Sequence, residues 1–447
     1  MTRKNETIAA ISTALGEGAI AIVRISGSDA VFVARKILTR QDFPEPSRMY
    51  LTYLHDDDGS IIDRVLCVYF AKPKSYTGED IIEIHTHGGI MSAKKCLELL
   101  LANGARIAHA GEFTRRAFEN GRIDLTQAEG VLSVITSRSN EALKAAARTL
   151  TGELSREVMK IHDYVLELQG HIEIEIDFPE GETLNGLNIP ERIRAIITHI
   201  EELIPRCSAG MLLNSGVRAV IAGRPNAGKS SLLNALLGRK RAIVTDIPGT
   251  TRDIIEETII IRGVPVKLTD TAGLRESDDV IEAEGVRLAL EAVNGSDICV
   301  YVADGSAELS AEDSEYIRSL EERNAIIAVN KSDLPQKISS IESSLQKIYL
   351  SAKTGEGINE LKTAIYDMAV KDCVLSSGLN VSAMQLEELK SALSALREAE
   401  QSAVSSLGED VTAGLLNSAR ISLLNVLGVD AGDELLDSMF SRFCVGK

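Results

Sequence analysis

Residues 217–238 read VRAVIAGRPNAGKSSLLNALLG, and no other stretch of the 447 residues restricts the fold as much. An apolar, β-branched run ends in G-x-x-x-x-G-K-S, and a run with helical spacing follows at once. Such a loop holds phosphate where a strand end meets a helix N-terminus, because backbone N–H groups and the helix dipole both face the anion there. Gly223 and Gly228 let the backbone wrap, with Asn226 and Ala227 between them in the loop. Lys229 is expected to reach the outer phosphates and Ser230, followed by Ser231, to offer its hydroxyl to magnesium.

The residues around this loop alternate strand and helix patterns, as in a parallel sheet covered by helices on both faces. Strand candidates are 217–223, 264–271, 297–304, 324–331 and 347–352. Three further strings stand at strand ends in order: DTAG (270–273), NKSD (330–333) and SAK (351–353). Asp270 is expected to hold magnesium through water, with Thr271 and Ala272 beside it, and the Gly273 N–H to sense the terminal phosphate. The Asp333 carboxylate can accept from the N1–H and 2-amino group of guanine, and adenine offers neither donor. Asn330, Lys331, Ser351, Ala352 and Lys353 complete the base pocket, so the nucleotide is read as GTP. TDIPGTTRD (245–253) occupies the place of the first switch, with Thr251 the expected magnesium and γ-phosphate contact. Leu274 follows Gly273 and cannot orient a water; Glu282, a carboxylate in the second-switch stretch, is read either as a group that orients it or as an exposed helix charge.

On either side the pattern changes. Residues 1–119 read as an α+β unit, with strands at 20–27, 64–71 and 80–89 and a helix over 91–105 that stops at Asn103-Gly104. Residues 126–177 and 380–442 have apolar residues recurring at three and four, so both are helical and both need partners for their apolar stripes. The expected organisation is multidomain: an α+β unit (1–119), a discontinuous all-α domain (120–214 and 374–447), and an α/β Ras-like phosphate-loop GTPase domain (215–373) inserted between its halves.

Composition narrows the partners. The balance of 48 Lys+Arg against 65 Asp+Glu gives a net charge of −17, which repels a polyanion at long range. RNA would have to meet a local basic patch, for which Arg106–Arg122 with Arg115 and Arg116 is the candidate, or a second protein; a solvated helix face is the favoured reading of that stretch. Aromatics at 4% without tryptophan give no stacking platform for single strands. Scattered cysteines without a C-x-x-C pair, no signal-peptide pattern and no membrane-length apolar run point to a reducing cytoplasm. The terminal FCVGK has the spacing of a prenylation box, but Gly446 is not aliphatic and Lys447 is not a usual last residue for that signal. His85 and His87 share a strand face and could bind a metal, yet no third ligand is evident and a structural or hydrogen-bonding role is favoured.

Taken with SYTGEDIIEIHTHGG (75–89), GEFTRRAFENGRIDLTQAE (111–129), DTAGLRE (270–276) and FCVGK, the chain resembles the MnmE (TrmE) family of tRNA-modification GTPases over nearly its whole length. That resemblance implies a homodimer formed through an N-terminal domain that binds 5-formyltetrahydrofolate as one-carbon source. It implies a flavin-dependent partner, MnmG (GidA), carrying FAD, and modification of carbon 5 of the tRNA wobble uridine. It further implies GTP hydrolysis activated by K⁺ and Mg²⁺. By residue, it places potassium at Asn226 and the carbonyls of Thr245, Ile247 and Thr250, and magnesium at Ser230 and Thr251. Asp246, Pro248 and Gly249 belong to the same GTP-binding loop. It makes Glu282 the water-orienting residue, beside Lys229 and Cys444 in the catalytic set. For folate it implies Arg24, Glu79, Arg122 and Lys447; many relatives carry lysine where this chain has Arg122. The alternative reading, a regulatory GTPase of ribosome assembly, would need an RNA-reading unit such as a G-x-x-G clamp, and none stands beside a β-rich basic segment.

Overall fold

A computed structural model describes residues 6–39, 45–177, 188–238, 256–270, 295–338, 340–371, 375–405, 407–429 and 432–447. The first sheet is built from β1 (Ile8–Ile11), β2 (Ile20–Ser26), β3 (Met49–His55), β4 (Ile61–Phe70), β5 (Ile81–His87) and β6 (Arg106–Ile107), in the order β3-β4-β5-β2-β1-β6. Its strands pair antiparallel except β1 with β6. Alternation decides its faces. Val23, Ile25, Ile82, Ile84, Val65 and Cys67 point to α1 (Ala30–Ile37) and α2 (Ile90–Ala102) and form one core. Among the described residues the opposite face is covered near β1, where Phe113 and Tyr76 pack on Ile8 and Ala10. Towards the β3 edge, Met49, Leu51, Tyr53 and Leu66 stay exposed. The periodicity reading found β2, β4, β5 and α2; it did not find the short β1 and β6, or the edge strand β3.

After α3 (Glu112–Glu119), three helices follow: α4 (Leu125–Thr136), α5 (Asn140–Leu150) and α6 (Glu153–Asp177). Asp124 and Gln127 form a capping box at the start of α4, and Ser139 caps α5. Those caps, with Gly152 at φ +77°, break into three the helical stretch expected over 126–177. After α7 (Ile189–Ser215) comes the second sheet: β7 (Val217–Ala222), β8 (Glu256–Ile261), β9 (Val264–Asp270), β10 (Ile298–Asp304), β11 (Ala325–Asn330) and β12 (Gln346–Tyr349), ordered β12-β11-β10-β7-β9-β8. Every pair in it is parallel except β8 with β9, an antiparallel edge hairpin that the expectation of a purely parallel sheet lacked. Ile298, Val300 and Val302 of β10 face one core, whereas Cys299, Tyr301 and Ala303 face the other, so the strand is apolar without a break. Helices α8 (Lys229–Leu237), α9 (Ala311–Ser319) and α10 (Ile358–Ala369) belong to this sheet.

The chain then returns to helices: α11 (Ala383–Val404), α12 (Glu409–Leu427) and α13 (Asp433–Phe440). Leu154, Val158, Ile161, Val165, Leu168 and Ile172 recur at four and three along α6. They share one core with Ile193 and Ile200 of α7, Leu389 and Leu396 of α11, and Leu416 and Leu423 of α12. Each such side chain contributes roughly 1.5–3 kcal/mol when buried, so two segments remote in sequence are held together by their stripes. Ala142 and Ala145 of α5 join the core of the second sheet, because side chains that small permit close approach.

Candidate functional site

The nucleotide-type site begins at the C-terminal end of β7. Gly223 has φ +141°, and a Cβ there would stand 2.4 Å from the Val302 carbonyl oxygen. Gly228 has φ +98°, and its Cβ would stand 2.2 Å from Asn330 Nδ2. Between them Asn226 takes φ +64°, a left-handed conformation uncommon outside glycine. The loop is therefore a cradle whose glycines are required by neighbouring atoms. Gly228 caps α8 without any side-chain hydrogen bond, and the positive end of that helix dipole lies at the loop. Lys229 is buried, and its Nζ donates to the carbonyls of Gly223 and Arg224, both at 2.9 Å. Ser230 and Ser231 are exposed on the first turn.

Asn330, buried at the end of β11, joins this loop to the base-pocket strings. Its Nδ2 donates to the Ala227 carbonyl at 2.9 Å, and its Oδ1 accepts from the Ala352 N–H at 3.0 Å. Ser351 Oγ donates to Asp333 Oδ1 at 2.7 Å, which fixes the carboxylate. Lys331, at φ +66°, pairs with Asp304 at 2.6 Å. Burial works to raise the Asp304 carboxyl, but Lys331 and Ser306 hold it below its ordinary value. The structure thus brings Asn226, Ala227, Gly228, Lys229, Asn330, Asp333, Ser351 and Ala352 into one locality, with Lys353 exposed beside them. Thr245, Asp246, Ile247, Pro248, Gly249, Thr250, Thr251, Thr271, Ala272, Gly273 and Glu282 lie outside the described residues; of Asp270 only the backbone, closing β9, is described.

A second constellation lies on the partly covered face of the first sheet. Arg24 of β2 stands directly opposite Glu83 of β5 and donates to it from Nε at 2.8 Å. Its guanidinium carbon is 5.9 and 5.6 Å from the ring centroids of Tyr76 and Phe113. The C-terminal tail runs to the same place. Val445 bridges Ala110, Ser12 Oγ donates to the Gly446 carbonyl at 3.1 Å, Arg24 Nη1 reaches that carbonyl at 3.4 Å, and the Phe113 N–H donates to Lys447 O at 3.2 Å. Gly446, at φ +95°, passes so close that a Cβ would meet the Ile11 carbonyl at 2.5 Å. Cys444 is exposed on this tail. Glu79 accepts from Ser26 Oγ at 2.8 Å and from Arg116 at 3.0 and 3.2 Å. Arg122 Nε donates to the Ser75 carbonyl at 3.2 Å and lies beside Gly78.

The candidate basic patch is overturned. Arg116 is buried between Glu79 and Glu112, Arg106 pairs with Glu6 and Glu112, and Arg115 pairs with Glu119, Asp433 and Asp437. These guanidiniums neutralise carboxylates of the same chain; Arg116 is not on a solvated face either. Burial tends to raise the Glu112 carboxyl, yet Arg106, the His109 N–H and Arg116 keep it below its usual range. His87 serves as a hydrogen-bonding group, its Nδ1 2.6 Å from Asp63, whereas the buried Nε2 of His85 makes no hydrogen bond and only lies 3.4 Å from Glu83. Sequence reasoning missed Glu83 and Arg116 as members of this site. Period-two alternation put Glu83 on the face of His85, but cross-strand register brought it to Arg24.

The model described as MnmE helical domain matches residues 125–444, and that described as GTP-binding protein TrmE N-terminus matches residues 7–122. Curated relatives bear the name tRNA modification GTPase MnmE. The protein from Clostridioides difficile is 41% identical over 99% of each chain, and that from Symbiobacterium thermophilum is 42% identical over 99% of each. Among solved structures, the G domain of the T. maritima FeoB iron transporter aligns with 34% of this chain and 98% of its own, at 32% identity and a TM-score of 0.27.

Proposed function

The chain belongs to the MnmE family of tRNA modification GTPases, and on that premise we propose a potassium-activated GTP hydrolase that modifies carbon 5 of the wobble uridine. With a flavin-dependent partner of the MnmG type, which carries FAD, it adds an aminomethyl or carboxymethylaminomethyl group, the one-carbon unit coming from 5-formyltetrahydrofolate. The side-chain bridge of Asn330 carries the GTPase part of this reading, since it fastens the phosphate loop to the strand ends that bear Asp333 and Ser351. GTP is the substrate that such a pair of loops would hold.

The donor set suits hard cations, because it offers hydroxyl, amide and carbonyl oxygens rather than thiolates or imidazoles. Ser230 and Thr251, with Asp270 through water, would hold magnesium, and Asn226 with the carbonyls of Thr245, Ile247 and Thr250 would hold potassium. When bound, the two cations supply positive charge beside the phosphates. Lys229 binds the outer phosphates, and Glu282 orients the attacking water. Arg24, Glu79, Arg122 and Lys447 form the tetrahydrofolate site; the convergence of Arg24 and the tail supports that assignment. Cys444 acts in the modification step. The domains divide as 1–119, 120–214 with 374–447, and 215–373, a division supported by the core that α6 and α7 share with α11 and α12. The homodimer forms through the first sheet, whose exposed Met49, Leu51, Tyr53 and Leu66 offer an apolar face. The place of work is the cytoplasm; among the described residues no helix is long and apolar enough to cross a membrane.

Hydrolysis rates in potassium and in sodium test the first part. The wild type should turn over faster in potassium, and Asn226→Ala should lose most of that difference; equal rates in both salts would sink the proposal. Nucleoside analysis of tRNA from cells lacking the protein tests the second: the wobble modification should disappear.

A further inference from the structure

Arg24 is too constrained to find its own orientation. Its Nε and Nη2 both reach Glu83 Oε1, at 2.8 and 2.7 Å, and the two side chains are only 17% and 15% exposed. Nη1 spans to the Gly446 carbonyl at 3.4 Å. Three of the five guanidinium donors are thereby committed, which leaves two. The group sits by the rings of Tyr76 and Phe113, so without a carboxylate it would be a partly buried charge with several rotatable bonds and no ionic partner. Glu79 is engaged elsewhere, accepting from Arg116 and Ser26. The second oxygen of Glu83 faces His85 Nε2 at 3.4 Å, between strands that fix both residues.

We propose that Glu83 is a positioning residue for ligand binding: it holds the Arg24 fork so that the two uncommitted N–H groups meet an oxygen of the bound tetrahydrofolate. This rests on the reading that Arg24 contacts that ligand, and it adds a residue to the site that neither motif spacing nor resemblance nominated. Its chemistry is specific. A carboxylate on β5 sets the direction of a guanidinium on β2, and the ligand is recognised by the guanidinium alone.

Titration of the full chain with 5-formyltetrahydrofolate, alongside thermal midpoints, tests the proposal. Arg24→Ala should abolish measurable binding. Glu83→Gln should weaken binding about tenfold or more, the scale of a disrupted hydrogen bond to a charged group. Should Glu83→Gln fail to fold, Glu83→Asp keeps the charge on an arm one methylene shorter, and affinity should still fall. The exchange Arg24→Glu with Glu83→Arg restores the ion pair, so its midpoint should recover while binding does not; a purely structural pair would recover both. Wild-type affinity in Glu83→Gln and Glu83→Asp, with binding lost in Arg24→Ala, would overturn the positioning role and leave the folate reading standing. Loss in the Glu83 variants with binding kept in Arg24→Ala would overturn it as well, by making Glu83 the direct contact. No binding by the wild type would remove the folate reading and this inference with it.

Discussion

Glu129, on α4, turns its carboxyl towards Ser382 at the start of α11 and Arg442 beyond α13. Burial pushes it up to about 7 from an ordinary 4.5, and the hydrogen bonds from Ser382 and the charge of Arg442 offset only part of that. The folded protein therefore holds a proton there that the unfolded chain releases at lower pH. Stability from this group is fully present below the unfolded value and is lost as pH rises through the folded one. Glu129→Gln, neutral throughout, should melt higher than the wild type at about pH 8, by on the order of 3 kcal/mol at most, and the difference should shrink towards about pH 5. Melting curves across that range decide it; a gap that widens on acidification would show that the charged form is the one the fold prefers.

Among the elements, the hairpin of β8 and β9 stands between the TDIPGTTRD segment and Asp270, the two stretches expected to sense nucleotide. Ile261 pairs with Val264, and the two turn residues, Arg262 at φ +47° and Gly263 at φ +90°, both have the positive φ that suits a tight two-residue turn. Arg262 donates to Thr363 of α10 at 3.2 Å and lies over the Tyr366 ring at 5.2 Å. On its other side a Cβ at Gly263 would stand 2.4 Å from Glu141 Oε2 in the first turn of α5. Gly263→Ala should destabilise the protein by roughly 1–2 kcal/mol, from left-handed backbone strain and the crowded carboxylate. Adding Glu141→Ala should recover the crowding part and leave the backbone part, so the double-mutant cycle should depart from additivity. Strictly additive midpoints would mean that the hairpin tip and α5 do not press on each other.

At the scale of the molecule, the first sheet is closed by helices on one face and left partly open on the other, where Leu51 lies opposite Leu66. If that face joins two copies, Leu51→Glu buries a charge in the contact and should give the mass of a single chain by light scattering. Ile107→Glu, at the far edge on β6, should leave the dimer intact. A dimeric Leu51→Glu would move the contact elsewhere. What the sequence by itself determined is local. The phosphate loop, its strand and its helix lie within some twenty contiguous residues, so their chemistry is legible without knowing what surrounds them. The apolar stripes of α6, α11 and α12 are legible for the same reason. Only the tertiary structure decided which surfaces meet. A stripe states that a face must be covered and not by which element, so the sequence pointed to the two helical regions as partners, and the structure decided that α6 shares its core with α7, α11 and α12. Charge partners were hidden more deeply. Arg116 reads along the chain as one of several basic residues, yet it is buried between Glu79 and Glu112. Arg24 finds Glu83 because β2 and β5 pair in one register, and a slip of one residue would have put the two side chains on opposite faces.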